Sequence, residues 1–417
     1  MKLLIYGINY APELTGIGKY TGELTEWLVK AGHHVEVITA MPYYPRWKIT
    51  EDYRKKGWFV EKMSGVLVRR TPLYVPKKIT GKSRIIHELS FMLSSQIHWL
   101  KTFFNKPDAV IAICPPFHTG FAALLYGKLW NIPVIYHIQD LQVDAAKDLG
   151  IIKNQRLLNL LVKLESWILT KSKLVSTISE GMVKKILTKG IKEEKVLLFP
   201  NWVDTSFIQP LPKSASLRKA WGFKEEDKII LYSGNLGEKQ GLELLIEVAK
   251  QFQSQEDIHF LIVGEGGTRQ RLIDLSKQQN LHNVHFYPLQ PYEKLSALLA
   301  AADLHLVLQK RAAADLVLPS KLTSILSVGG VAVVTASAGS TLYEVVNEHN
   351  MGILVEPESV SALAEGIKRG LTTDTNLISK NARKYAQVFL SKEAILSKFE
   401  QDLKAIITTP KLKYSKV

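Results

Sequence analysis

Apolar runs broken at intervals by glycines organise this chain. KLLIYGI (2–8) is long enough for a buried strand and too short for a helix. A glycine-bearing loop, NYAPELTGIGKY (9–20), follows it. Leu24, Trp27, Leu28 and Ala31 then recur at helical spacing, and Gly32 supplies a stop. HVEVITA (34–40) is the next strand, so the opening predicts a parallel sheet with helices on its faces. Further strands are predicted at 66–72, 109–116, 133–140 and 173–179, and VLLFPNWVD (196–204) closes the set. A polar, Pro-bearing connector fills 205–227. The pattern then restarts, with strands at 229–233, 258–263, 284–288, 304–308, 331–335 and 352–355 and helices between them. From Lys392 to about Thr408 the chain reads as a helix, and the rest as a basic, frayed tail. The repetition is of architecture and not of residues.

The expected fold is therefore α/β, with two Rossmann-like domains facing a cleft. Residues 1–204 form the first, 205–227 a linker and 228–390 the second, while 391–417 form a helix and tail packing back on the first. A length of 417 residues and a hydrophobic fraction of 46% suit two globular domains. A single cysteine, Cys114, points to a reducing compartment. The N-terminal apolar run is cut by Gly7 and Asn9, unlike a secretory leader, and no stretch approaches the roughly 20 apolar residues of a spanning helix. A cytoplasmic protein is expected.

Charge separates the halves. Residues 1–200 carry 29 Lys and Arg against 16 Asp and Glu, net +13, out of +15 for the chain. A one-sided basic surface points to an anionic partner such as phospholipid, a lipid pyrophosphate or nucleic acid. No basic–aromatic recognition motif supports nucleic acid. The stretch from Arg84 to Phe104 is amphipathic and aromatic-rich, with Lys77, Lys78 and Lys82 before it. It reads either as an ordinary packed helix or as a helix lying on an anionic membrane.

Ligands in α/β sheets bind at the carboxyl ends of strands, and glycine turns or helix N-termini there suit phosphate. Four places qualify. Gly16 and Gly18 follow the first strand. His137 and Asp140 end the strand at 133–140, either as functional groups or as a core histidine and a turn cap; Asp144 is a weaker companion. Gly234, Asn235, Gly237 and Lys239 follow the strand at 229–233, and Gly264 the next one. Pro319, Ser320 and Lys321 open a helix over 321–328, with Ser320 as N-cap and Lys321 adding a full charge to the helix dipole. Tyr43, Tyr44, Arg46 and Trp47 follow the second strand. No metal-ligand spacing stands out, and no metal or other cofactor is expected. The full GxGxxG spacing is absent, and no acidic residue closes the second strand, which argues against a nicotinamide site.

YGINYAPELTGIGKYTGEL (6–24), ITAMPYYPRW (38–47), HIQDLQVDA (137–145), FPNW (199–202), ILYSGNLGEKQGLE (230–243) and QKRAAADLVLPSKLTSIL (309–326) together resemble the family 4 glycosyltransferases, retaining enzymes of GT-B fold. The resemblance runs nearly end to end and is closest to the branch serving colanic-acid-type exopolysaccharide. It implies a nucleotide-sugar donor, GDP-fucose in that branch, in the C-terminal domain. A lipid-linked glycan acceptor would sit in the N-terminal domain, with the enzyme peripheral on the inner face of the cell membrane. Relatives place an Arg and a Lys in the turn after the second domain's first strand; here Asn235 stands at the Arg position and Lys239 is offset by one. Relatives also carry a Glu-x7-Glu pair on the donor; here Leu316 and Ser324 stand in those places, with Asp315 one residue off. Lys310, Arg311 and Lys321 are the cations left for the diphosphate. The resemblance favours roles for His137 and Asp140 in catalysis; Tyr43, Tyr44, Arg46 and Trp47 either contact the acceptor or merely pack. A sugar-nucleotide epimerase of the same fold, or a non-catalytic protein binding anionic membrane or nucleotide-sugar, remain the other readings.

Overall fold

The structure is a computed structural model that describes residues 1–13, 15–148, 154–311 and 318–408. It divides into two compact units. One is Met1–Asn201 together with the chain from Leu396 onward, and the other is Trp202–Ile395.

The first unit runs β1 (Lys2–Tyr6), α1 (Gly16–Lys30), β2 (His34–Ala40), β3 (Phe59–Met63), β4 (Val66–Thr71), α2 (Gly81–Thr102), β5 (Ala109–Cys114), α3 (Thr119–Trp130), β6 (Val134–Ile138), α4 (Gln142–Asp148), α5 (Gln155–Lys171), β7 (Leu174–Thr177), α6 (Glu180–Leu187) and β8 (Val196–Leu198). Its eight-stranded sheet has the order β3-β4-β2-β1-β5-β6-β7-β8. Every neighbouring pair is parallel except β3–β4. Strand order reverses between β1 and β5, the switch point where an α/β sheet opens a crevice at its carboxyl ends. Right-handed crossovers put α1 on one face and α2, α3 and α5 together on the other.

Two local departures from the apolar pattern have simple causes. The hairpin strand β3 is not among the predicted strands, because FVEKM alternates between half-buried and exposed and carries no buried face to recognise. Its turn, Ser64-Gly65, has positive φ at both residues (46° and 84°), as a tight right-twisted hairpin requires. Helix α1 begins at Gly16, inside the predicted loop. By contrast α2 starts at a capping box. Ser83 N donates to Thr80 Oγ1 (3.2 Å) and Thr80 N to Ser83 Oγ (2.8 Å), worth about 1 kcal/mol.

The second unit contains β9 (Lys228–Ser233), α7 (Glu243–Gln251), β10 (Ile258–Val263), α8 (Arg269–Gln278), β11 (Val284–Tyr287), α9 (Leu295–Leu299), β12 (Leu304–Val307), α10 (Ser320–Ser327), β13 (Ala332–Thr335), α11 (Thr341–Glu348), β14 (Ile353–Val355), α12 (Val360–Thr372) and α13 (Asn376–Phe389). The six strands are all parallel, in the order β11-β10-β9-β12-β13-β14. Period-two alternation sends Ile230 and Tyr232 into one core layer and Ile229 and Leu231 into the other. The stretch read as a linker is built into this unit. Buried Arg218 donates to the carbonyls of Ala301 (2.8 Å) and Asp227 (2.7 Å) and to the Asp303 carboxylate (2.6 Å).

The last helix, α14 (Lys392–Thr408), buries Leu396, Phe399, Leu403 and Ile406. Phe399 stacks on Phe199 with centroids 3.8 Å apart, and His33 Nε2 bonds Glu400 Oε1 at 2.7 Å.

Candidate active site

In the second unit, β9 and β10 end in glycine turns that lie backbone to backbone. Gly234 N donates to Val263 O and Leu236 N to Glu265 O, both at 2.9 Å, and Thr268 Oγ1 donates to Leu236 O at 2.9 Å. A Cβ on Gly264 would stand 1.9 Å from Gly234 O. Gly264 therefore has a packing reason independent of any ligand. Gly237 is likewise crowded, with Asn235 Nδ2 and Gln240 Oε1 each 2.9 Å from where its Cβ would be.

Helix α10 begins at Ser320, which corrects the expected N-cap. Pro319 occupies the cap position and offers no capping side chain, while Ser320 is already helical and exposed. The amides of this N-terminus are left to other acceptors. One residue on, Lys321 Nζ donates to Tyr232 Oη (2.5 Å) and stands 3.9 Å from the centroid of the Tyr232 ring. Tyr232 Oη donates in turn to Asn235 O (2.8 Å). Lys321 Nζ is 3.6 Å from the position a Gly234 Cβ would take, so the amine lies on the 234–235 turn. Among the described residues no carboxylate pairs with it, and burial pulls its ammonium from 10.5 down to about 7.

The other donor-side residues separate. At the surface the Arg311 guanidinium pairs with Glu356 (2.6 Å) and its backbone N–H with Glu358 (3.1 Å). Lys239 is exposed on the turn, and its carbonyl accepts from Lys310 N at 2.9 Å. Ser324 is half-buried one turn along α10. Asp315 and Leu316 lie outside the described residues. A cavity of about 190 Å³ opens at the ends of β12 and β13, lined by Gln240, Lys310, Thr335 and Glu358 among others.

In the first unit the loop after β1 is held from two sides. Buried Glu13 (5% exposed) accepts at Oε1 from Tyr43 N and Tyr44 N (3.0 Å each), and at Oε2 from Asn9 Nδ2 (2.9 Å). Burial pushes its carboxyl up. Fully buried Arg70 donates to the carbonyls of Ala11 and Ala40 (the latter at 3.1 Å) and pairs with Glu61 at 2.7 Å. Gly18 makes room for Glu13, since its Cβ would sit 2.6 Å from Oε2, and the Gly16 Cβ would touch the Tyr44 ring at 3.5 Å.

Of the four aromatic and basic residues after β2, Tyr43 is buried edge-on to Trp47 (5.5 Å) and His87 (4.5 Å), whereas Tyr44 and Arg46 are exposed. Glu88 on α2 accepts from Gln142 Nε2 at both oxygens (2.8 and 2.9 Å), and Gln142 Oε1 accepts from Phe117 N (2.9 Å). Burial pushes the Glu88 carboxyl up. Nearby His118 is buried, neither ring nitrogen has a partner among the described residues, and its pKa falls to about 4.

His137 lies deeper than its place near a strand end suggests. It is 2% exposed and faces Phe199 at 5.1 Å. Gln139 Nε2 donates to its Nε2 (3.1 Å), leaving Nδ1 to bond Ser176 Oγ (3.0 Å). Burial lowers its pKa to about 3, so it stays neutral and in the core. Asp140 is exposed at the end of β6. Asp144 is bound by Lys189 and, at 3.7 Å, by Lys185.

Glu13, Arg70, Glu88, Gln142, His118 and Tyr232 were not singled out from sequence. The available signal was position: Glu13 is an acid inside the glycine loop, and Tyr232 a hydroxyl ending an apolar strand.

Two such sheets, each with a polar cluster at its carboxyl ends, define the GT-B class. Sucrose-phosphate synthase from Thermosynechococcus elongatus has the same fold, with a TM-score of 0.72 and 18% identity over 97% of this chain and 98% of that one. The Anabaena protein HepE, solved in complex with UDP-glucose, matches with a TM-score of 0.68 and 15% identity over 97% of this chain and all of that one. Residues 15–202 match the glycosyl transferase 4-like domain and 213–387 the glycosyl transferases of group 1. An Escherichia coli K12 protein named for glycosyl transfer in colanic acid biosynthesis is 44% identical over 414 residues, 97% of this chain and 100% of that protein. The chain belongs to this family and is a GT-B glycosyltransferase of family 4 type.

Proposed function

We propose that the protein transfers a sugar from a nucleotide-sugar to a lipid-linked glycan, with retention and without a divalent metal, in the assembly of a colanic-acid-like exopolysaccharide. The observation that carries this reading is Lys321, a cation on a glycine turn at a helix N-terminus, with no carboxylate partner among the described residues. A diphosphate supplies the missing negative charge. As the bond from the anomeric carbon to the diphosphate breaks, charge grows on the leaving oxygen, and Lys321 with the α10 amides stabilises it. The acceptor oxygen bonds to the anomeric carbon on the face the diphosphate leaves, and its proton passes to the departing oxygen. No histidine base is required, in keeping with the core position of His137. Asp140, Tyr44 and Arg46, exposed at strand ends of the first unit, are the groups assigned to the acceptor. The resemblance points to GDP-fucose, and the solved relative carries UDP-glucose.

The basic first unit and the amphipathic α2 support a place at the inner face of an anionic membrane. No helix among the described residues is long and apolar enough to cross it.

The test is a thermal-shift and titration screen against GDP, UDP, GDP-fucose, GDP-mannose, UDP-glucose and UDP-N-acetylglucosamine. One nucleotide-sugar should stabilise selectively by mass action. No response to any would sink the donor reading. With the donor named, Asp140→Asn should lower turnover and leave donor affinity unchanged; normal turnover removes Asp140 from the reaction. Turnover should persist in excess chelator.

A further inference from the structure

Helix α2 is inside out. Its buried face includes His87, Ser95, His98 and Thr102 beside Phe91 and Trp99. Its outward face carries Ile85, Leu89, Leu93, Ile97 and Leu100, continued by Phe104, all large, exposed and spaced by three or four residues. Leu93 is 68% exposed, Leu100 72% and Phe104 79%. A helix that only packed on its own sheet would show the reverse polarity.

The neighbouring helices repeat this. On α3, Leu125 and Leu129 are exposed one turn apart, at 62% and 58%. On α5, Leu157, Leu160 and Trp167 are exposed at spacings that share one face. The three helices lie side by side. Tyr126 Oη on α3 donates to Thr102 O on α2 (3.3 Å), Phe103 and Trp130 meet edge to face at 5.2 Å, and Phe121 on α3 stacks on Trp167 of α5 at 5.6 Å. The outward stripes thus belong to one helical layer on one face of the sheet.

Charge selects the partner. Lys82, Arg84 and Lys101 on α2, Lys128 on α3, and Arg156, Lys163 and Lys171 on α5 are cationic. The two acids of these helices are both engaged, Glu88 with Gln142 and Arg84, and buried Glu165 with Lys189. A second copy would bring this basic face against itself, and like charges disfavour such contact. An anionic bilayer satisfies both features, with leucines in the acyl boundary and lysines among the headgroups. We propose that the outward faces of α2, α3 and α5 form one docking surface for an anionic lipid bilayer, to which α3 and α5 contribute alongside α2. This rests on the membrane location proposed above and extends it to helices the amphipathic stretch 84–104 does not include.

The probe is vesicle flotation of the full chain with equimolar phosphatidylglycerol and phosphatidylcholine, against phosphatidylcholine alone. The variant Leu125→Glu/Leu160→Glu changes only exposed positions. The full chain should float with the anionic vesicles and weakly with the neutral ones, and the double variant should bind roughly tenfold more weakly or worse. Nucleotide-sugar stabilisation of the double variant should match that of the unaltered chain, which separates this test from the donor reading. Unchanged flotation of the double variant would overturn the α3–α5 contribution. Equal binding to neutral vesicles would overturn the anionic specificity. A dimer in lipid-free solution that the double variant abolishes would give the surface to a second copy instead.

Discussion

Among the described residues no carboxylate compensates Lys321, and its titration makes the donor site testable. Its ammonium sits at about 7 instead of 10.5, because burial disfavours the charged form. A diphosphate binds the protonated amine, so donor binding above pH 7 should take up a proton and weaken as pH rises. Calorimetry at pH 8 in buffers of different ionisation enthalpy should show that uptake, and Lys321→Met should abolish it while weakening binding by about 1.5–3 kcal/mol. Folding stability runs the other way. Between about 7 and 10.5 the unfolded lysine holds a proton that the folded one has lost, so this group's contribution rises with pH across that window. Unchanged affinity and no proton uptake would remove Lys321 from the site. Its position at a helix start was legible in the sequence; its partner Tyr232 was not, since a tyrosine ending an apolar strand looks like any core residue. The burial of His137 was not legible either. A polar residue near a strand end suggests chemistry, but all of β6 is buried, and what covers His137 is Phe199, distant in sequence.

Among the elements, the two glycine turns of the second unit act as one piece. The prediction is that Gly264→Ala destabilises that unit by roughly 2–4 kcal/mol, because the methyl would meet the Gly234 carbonyl at 1.9 Å and φ is 148°. Gly267→Ala, with nothing within 4 Å, should stay close to the parent in urea unfolding. Equal midpoints for the two variants would mean the turns yield more easily than their contact suggests. Parallel strands were easy to read because burial on both faces makes them continuous apolar runs, and those predicted from 229 to 355 coincide with β9–β14 to within about a residue at each end. Edges and caps were not. Strand β3 has no buried face, and Ser320 looks like a cap only until Pro319 is seen to occupy that position. The inverted polarity of α2 was visible as amphipathicity, but which stripe faces outward depends on the polar contacts of His87, Ser95 and His98, which only the packed sheet reveals.

At the scale of the whole molecule, the chain does not finish its first unit until its last helix. Phe399 is buried to 1% exposure and stacks face to face on Phe199, the residue that also covers His137. The connection spans nearly the whole second unit in sequence, so the first unit's core stays open until the C-terminal helix arrives. Deleting the Phe399 ring leaves a cavity as well as losing transfer energy. Phe399→Ala should therefore cost about 3–5 kcal/mol. That loss should fall on the first unit alone, because the strands and turns that hold Lys321 lie in the second. Calorimetric unfolding of the variant should split into a lowered transition and one near the parent's, and only the upper one should rise when the nucleotide chosen by the screen is added. A single transition lowered as a whole, and shifted as a whole by nucleotide, would mean that the two units unfold as one. An unchanged transition would mean that α14 contributes little to the first unit despite its buried face.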